Sequence, residues 1–448
     1  MNDRDLNQEV VEHPARACRV SPNVAGRRRQ ATGRRADCVR RTTALLLTLT
    51  WASFPAFAAE EPPTEWIDPD TGHRVVRLSR EPGSESLYFH YNSYTAEGDK
   101  MVFTTPHGLA TVDLRSRAVE PLVEGSASNV IVSRKTRQAF YIGDSNAVYA
   151  VNIDTHNTRL ITKLPVEMHV GSAFGVSADD KLLAGSFVKD DGTGGQPFQL
   201  SVAGNRSLEA RWAARRPMAL FTVNVDTGTV KTFHGSTDWL NHVQMSPTDP
   251  TLIMFCHEGP WHNVDRTWTI RTDGTGLTRI HSRTMLMEIE GHEFFGQDGK
   301  TIWYDLQTPK SQVFWLGGYE IATGGRTWYH LERDEWSVHY NVSSDGKLFA
   351  GDGGGPNSVA APGNGQWIYL FHPEMVRDAT DFTPEQKRGL IKTGVFRSER
   401  LVNLSKHDYN LEPNVSFTPD NKWIVFRSNM LGPTHVYAVE VAKAKEKP

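Results

Sequence analysis

The sequence predicts an all-β fold, a seven-bladed β-propeller closed by pairing of its N- and C-terminal strands. Three observations carry that expectation. A turn-plus-strand pattern returns seven times, the composition includes 37 glycines and 10% aromatic residues, and the last repeat runs out of chain without an outermost strand. Length does not decide the matter, since 448 residues would fill two or three ordinary domains or one large β unit.

The repeat is a short polar turn followed by an apolar strand. It runs as Glu97-Gly98-Asp99-Lys100 before Met101-Val102-Phe103, Ser133 to Arg137 before Ala139-Phe140-Tyr141, and Ser177 to Lys181 before Leu182-Leu183-Ala184. It continues as Ser246 to Pro250 before Leu252 to Phe255, and Asp298-Gly299-Lys300 before Ile302-Trp303-Tyr304. Ser344 to Lys347 before Leu348-Phe349-Ala350, and Thr418 to Lys422 before Trp423 to Phe426, complete it. A second strand follows each time, often marked by a hairpin turn such as Asp226-Thr227-Gly228 or Asp273-Gly274. A period of roughly 40 to 50 residues is that of propeller blades. Inserts around residues 185–217 and 373–400 read as loops on one face, the second with a helix start at Thr383-Pro384-Glu385-Gln386. After Val441 the last blade lacks a strand, which His73 to Ser79 is expected to supply. A two-sheet sandwich or two smaller domains is the competing architecture, but no composition break supports it.

Residues 1–58 are expected to be a basic leader and signal peptide, and residues 59–448 a single domain. The leader holds ten Arg, no Lys and five acidic residues, a charge of +5 that leaves −8 for the remainder of a chain whose total is −3. That balance argues against a nucleic-acid surface on the mature body. Arg40-Arg41, the apolar run Ala44 to Trp51 and the small residues Ala56 and Ala58 make a signal-peptidase site, so export to the periplasm or medium is expected. The text ahead of Val39 reads as an upstream start. The apolar run is too short for a permanent anchor. Of three cysteines, Cys18 and Cys38 fall in the leader, which leaves Cys256 alone and no internal disulfide.

Histidines recur at one place in the repeat. His90, His242, His292 and His339 each precede an echo, and His407, Glu412 and Asn414 precede the last. His257 ends the strand that follows His242, close to Glu258 and Trp261. Loops and strand ends on a rigid β scaffold are where reactive groups are usually set, although a satisfied polar residue repeated between blades would give the same spacing. His292 and His407 offer nitrogen while Glu412 and Asn414 offer oxygen. That mixed donor set suits a divalent cation, Mn²⁺ before Ca²⁺, which wants more oxygens.

At these residues the chain resembles the oligogalacturonate lyases, a polysaccharide lyase family with a seven-bladed propeller. The matching stretches are WLNHVQMSPTDPTLIMFCHEGPW (239–261), GHEFFGQDGKTIWYD (291–305), HYNVSSDGKLFAGDGG (339–354) and EPNVSFTPD (412–420). The resemblance implies that His242 is the base, that Arg216 assists it and that His292 binds the metal. The family's Gln-x-x-His-Pro-His run of further ligands is here Tyr409-Asn410-Leu411-Glu412-Pro413-Asn414. Glu412 and Asn414 therefore stand at ligand positions, with His407 as a substitute nitrogen, and a harder ion is implied.

The chemistry implied is β-elimination on a uronic-acid oligosaccharide. The proton on C5 is weakly acidic, so the neighbouring carboxylate must be neutralised while a base is held close. His257 either holds sugar hydroxyls or donates a proton to the leaving oxygen. His90, His339 and Trp261 are expected to bind the sugar. The alternatives are a lyase on another uronate glycan, a non-catalytic propeller binding module, or a hydrolase using Glu258, Glu293 or Glu412.

Overall fold

The computed structural model describes residues 61–189, 204–356, 358–359 and 365–444; the expected leader lies outside them. Polar turns and alternating apolar strands fold as antiparallel meanders. They run Ser128–Val132 to Thr158–Lys163, His169–Val176 to Val230–Ser236, and Trp239–Met245 to Thr278–Arg279, each with four strands in sequence order. The meander Lys100–Thr105, Gly108–Asp113 and Val119–Glu124 has three strands, joined on its inner side by single bridges at Glu85 and Tyr94. The chain therefore passes the inner edge from 85 to 94 largely unladdered, with a turn closed by the Tyr91 N–H on the Tyr88 carbonyl at 2.8 Å.

The first and last parts of the described chain share a sheet. His73–Arg77 lies antiparallel to His435–Lys443, with Val75 opposite Val439 and Val76 opposite Ala438. Adjacent sheets meet through apolar faces, as where Phe140 and Val148 pack with Phe174, Leu183 and Phe221. Each such fully buried side chain contributes about 1.5–3 kcal/mol, so this interlayer packing is what holds the meanders together. Among the described residues no helix is long and apolar enough to cross a membrane.

The insert 373–400 is not the set of loops expected. Trp367–Met375 and the 13-residue strand Ile391–Asn403 pair as a long arm, and Arg326–His330 pairs in parallel with Ile391–Val395, joining two four-stranded groups into one sheet. Phe396 fixes the arm by stacking on Tyr329 at 4.9 Å and packing on Phe349 at 5.3 Å. Gly394 is needed there, because a Cβ would come within 2.6 Å of the Tyr329 ring. The helix start does form, as one turn over Pro384–Lys387 with Thr383 and Gln386 capping each other reciprocally. The first insert carries the helix Gly204–Ala214.

The first strand of four meanders breaks register near its start. The slips fall between Ser128 and Ile131, Val170 and Phe174, Asn241 and Gln244, and Gly291 and Phe294. Left-handed backbone marks three of them, with φ of 52° at Asn129, 47° at His242 and 46° at His292. A bulge of this kind re-aims one side chain out of the alternating pattern, and left-handed non-glycine residues concentrate at functional sites.

Candidate active site

The bulges bring His242 and His292 together, with ring centroids 6.4 Å apart. His339 lies 4.8 Å from His292, and Tyr88, from the unladdered edge, lies 5.1 Å from His339 and 5.6 Å from His242. Each imidazole commits Nδ1 to a buried carboxylate: His242 to Glu293 at 2.9 Å, His292 to Asp305 at 3.0 Å, and His339 to Asp352 at 2.8 Å. A proton on Nδ1 donated to the carboxylate leaves Nε2 as the basic nitrogen toward the site. Gly291 makes one of these contacts possible, since a Cβ there would stand 2.7 Å from the Asp305 carboxylate.

Arg266 is the electrostatic hub beneath His242. Its guanidinium donates to Glu258 at 2.6 Å and to Glu293 at 2.9 Å and lies 3.3 Å from His242 Nδ1. Burial pushes Glu293 upward, but the charges and hydrogen bonds of Arg266 and His242 outweigh it and hold the carboxyl well below its usual range. His292 is favoured in its charged form, because the Asp305 hydrogen bond and the charges of Asp305 and Glu412 outweigh burial. Burial drives His339 the other way and pushes Asp352 up to about 7, so the His339 imidazole stays neutral.

A pocket of about 730 Å³ opens over this cluster, lined by His292, Trp261, Trp336, Lys310, Tyr409 and Glu412 among others. Trp261 meets His292 edge-on at 5.8 Å, where an indole can cover a sugar face. His242 sits one layer behind His292, with its side chain 11% exposed. Arg216 is half-buried just past the helix Gly204–Ala214. Nearby Arg211 lies over the Trp239 ring at 3.3 Å, and burial brings it down to about 10 against the pull of Glu258.

Four expected site residues are placed elsewhere. His257 is on the opposite face of its strand from Cys256 and Glu258, bonded to Asp238 at 2.9 Å and stacked on Trp268 at 5.5 Å. His90 packs against the cluster, 5.5 Å from the His242 ring and 4.9 Å from Tyr88, but it lines a separate inner cavity of about 50 Å³ with Gln244 and Asn341, its ring nitrogens buried without a partner, and is not in the sugar-sized pocket. His407 spends both nitrogens inside the protein, on Ser428 at 2.9 Å and the Leu411 carbonyl at 2.6 Å. Asn414 accepts from the Phe89 N–H at 3.1 Å and donates to the Glu412 carbonyl at 3.0 Å, so its amide ties backbone rather than facing the pocket.

Of the expected cation ligands, His292 and Glu412 remain in the pocket. His292 has the second-sphere carboxylate that usually orients a metal-binding imidazole, and the Glu412 carboxylate is 44% exposed, 3.7 Å from His339 Nε2. One nitrogen and one carboxylate fit Mn²⁺ completed by water and substrate oxygens. The tighter set His242, Cys256 and Glu293 has ligand atoms within 4.8 Å of one another. It does not fit a cation, because Arg266 already occupies Glu293 and abuts His242. Burial also pushes the Cys256 thiol well up and keeps it protonated.

Tyr88, Arg266, Asp305 and Asp352 went unmarked in the sequence. Their only signal was position: Tyr88 two residues from His90, Asp305 at the end of the echo after His292, and Asp352 at the end of the echo after His339.

Fold and site together define an all-β protein with a cluster of carboxylate-backed histidines beside a polar, aromatic-lined pocket. A family profile for oligogalacturonate lyase matches residues 64–445, and the chain belongs to the oligogalacturonate lyase family. It is 25% identical over 410 residues to an oligogalacturonide lyase of Pectobacterium atrosepticum, covering 84% of this chain and 95% of that one. An oligogalacturonate lyase of Dickeya dadantii is also 25% identical, over 399 residues, with the same coverage. Among solved structures, an oligogalacturonate lyase in complex with manganese shares the fold with a TM-score of 0.70 at 22% identity, covering 85% of this chain and 96% of that one.

Proposed function

We propose that this protein cleaves oligogalacturonate or a closely related uronic-acid oligosaccharide by β-elimination, with His242 as the base. The observation that carries the mechanism is the His242–Glu293 pair at 2.9 Å. Glu293 fixes the tautomer and stabilises the imidazolium that forms, while Nε2 takes the C5 proton. Arg211 and Arg216 provide cationic charge on the Trp239 side of the site for the substrate carboxylate. The hydrolase alternative is weakened because Glu258 and Glu293 are both clamped by Arg266, so neither is free to serve as a carboxylic acid.

His292 and Glu412 are the residues that would hold a divalent cation, Mn²⁺ before Ca²⁺. When bound it supplies Lewis-acid neutralisation of the uronate carboxylate. Elemental analysis should find metal in the purified protein and little in His292→Ala; equal metal content in the two proteins would remove His292 from the site.

The seven-bladed reading is supported by seven strand groups, counting the eight-stranded sheet as two, and by the antiparallel pairing of His73–Arg77 with His435–Lys443. Export, with a mature chain from Ala59, rests on the cleavage pattern in the leader, and N-terminal sequencing of the periplasmic protein tests it. The reaction itself is tested by mixing the protein with a panel of uronic-acid oligomers. Elimination leaves a double bond conjugated to a carboxylate and ultraviolet absorbance rises; hydrolysis or simple binding gives none.

A further inference from the structure

A uronic-acid oligomer carries a carboxylate on every sugar, so a protein that binds it meets negative charge beyond the unit that reacts. The sugar-sized pocket is itself acidic, with Glu209, Asp408 and Glu412 in its lining. Among the described residues that line it, Lys310 is the only lysine or arginine. We propose that Lys310 is a specificity-determining residue that binds the carboxylate of a uronate unit next to the one that is cleaved. The inference rests on the lyase reading above.

The turn that carries Lys310, between the strands Thr301–Gln307 and Phe314–Glu320, is tied at several points. The Thr308 N–H donates to the Val313 carbonyl at 3.0 Å, the Gln312 N–H to the Pro309 carbonyl at 3.0 Å, and the Ser311 N–H to the Gln307 side-chain oxygen at 2.7 Å. Lys310 donates its own N–H to the Met287 carbonyl at 2.8 Å. Met287 belongs to a loop that also braces the neighbouring wall of the pocket, because Arg283 donates to the carbonyls of His262 and Val264. That loop is pinned in turn by Thr284, whose N–H and hydroxyl donate to Glu288 at 3.0 and 2.7 Å. One loop therefore holds both Lys310 and the stretch bearing Trp261. A side chain rising from a base fixed in this way is suited to recognition.

Position along the meander assigns Lys310 to a neighbouring sugar. Its anchor Met287 precedes the strand Ile289–Phe295, and His292 lies three residues beyond Ile289. At about 3.3 Å per strand residue, those three steps alone separate the two by roughly 10 Å. His292 and Glu412 thus serve the reacting unit and Lys310 the next one. The Lys310 side chain is half-buried and forms no ion pair with a carboxylate among the described residues. A partly desolvated ammonium attracts an anion more strongly than one in open water.

Trigalacturonates carrying a methyl ester on one unit test this, with the unit that loses its C5 proton left free and cleavage followed by product absorbance. For one of the neighbouring units, esterification is expected to cost the wild type about tenfold in kcat/KM, carried by KM. Lys310→Met should show that loss already on the free acid, and esterifying the same unit should then cost less than about twofold more. Lys310→Arg keeps the charge and should keep most of the wild-type preference. A merely structural lysine would leave the ester penalty of the variant equal to that of the wild type, and that result would overturn the assignment. So would a wild type that accepts the ester at every neighbouring unit, a result that needs no variant to fold. If the wild type yields no unsaturated product from any uronate, the lyase reading fails instead. Dissociation constants for the same esters, measured by calorimetry, then still decide the part played by Lys310.

Discussion

His242 and His257 belong to one hairpin, on Trp239–Met245 and Leu252–Glu258, and both bond a carboxylate through Nδ1 at 2.9 Å. Their surroundings differ. His242 sits in a left-handed bulge that turns it into a cluster of Arg266, Glu258 and Glu293, beside two further imidazoles. His257 obeys ordinary strand alternation and packs between Asp238 and Trp268, where burial holds its pKa below 6.5 against the pull of Asp238. Residue type, spacing and even a carboxylate partner do not separate the proposed base from a histidine held within the sheet. Backbone geometry does.

The contrast is broken most directly at His242. His242→Ala should lower kcat by about 10²–10⁴ with the substrate dissociation constant little changed, measured by product absorbance and calorimetry. Comparable losses at His242 and His257 would mean that the two regions share the chemistry. A smaller but more specific effect is expected from Glu293→Gln. The amide can donate to Nδ1 and force the proton onto Nε2, the wrong tautomer, which should cost on the order of 10² in kcat. An unchanged kcat in Glu293→Gln would deny the pairing a role in catalysis.

The smallest effect belongs to His257→Ala: less than about threefold in kcat, and about 1 kcal/mol of stability from the lost Asp238 hydrogen bond, read from urea unfolding. Because the folded His257 has a lowered pKa, its contribution is present above pH 6.5 and is lost as pH falls through the folded value. The variant should therefore differ most from wild type at neutral and alkaline pH. A difference that grew on acidification would reverse the assignment of a neutral, structural imidazole.

Much of the strand plan was legible because it is local. Turn residues and the alternation after them are set within about ten residues, and echoes such as Asp298-Gly299-Lys300 before Ile302-Trp303-Tyr304 became strands where expected. The arm at 391–403 was missed because the second of its two partners, Arg326–His330, lies more than sixty residues earlier and its anchor, Phe396 on Tyr329, is visible only once both are in place. His257 is the instructive error within the hairpin itself: strand alternation already put Cys256 and Glu258 on one face and His257 on the other.

By itself, the sequence determined the repeat, the all-β class, the histidines as the residues to explain and, through the quoted motifs, the family. The tertiary structure alone decided which histidines converge. Contacts such as Tyr88 to His339, Asn414 to Phe89 and the Arg266 bridge to Glu293 join residues 251, 325 and 27 positions apart. A pairing across such separations leaves no periodic trace, because local periodicity reports which face a residue takes and not what another meander brings against it. The bulges widen that gap, since one extra residue turns His242 and His292 off the face that alternation alone would assign them.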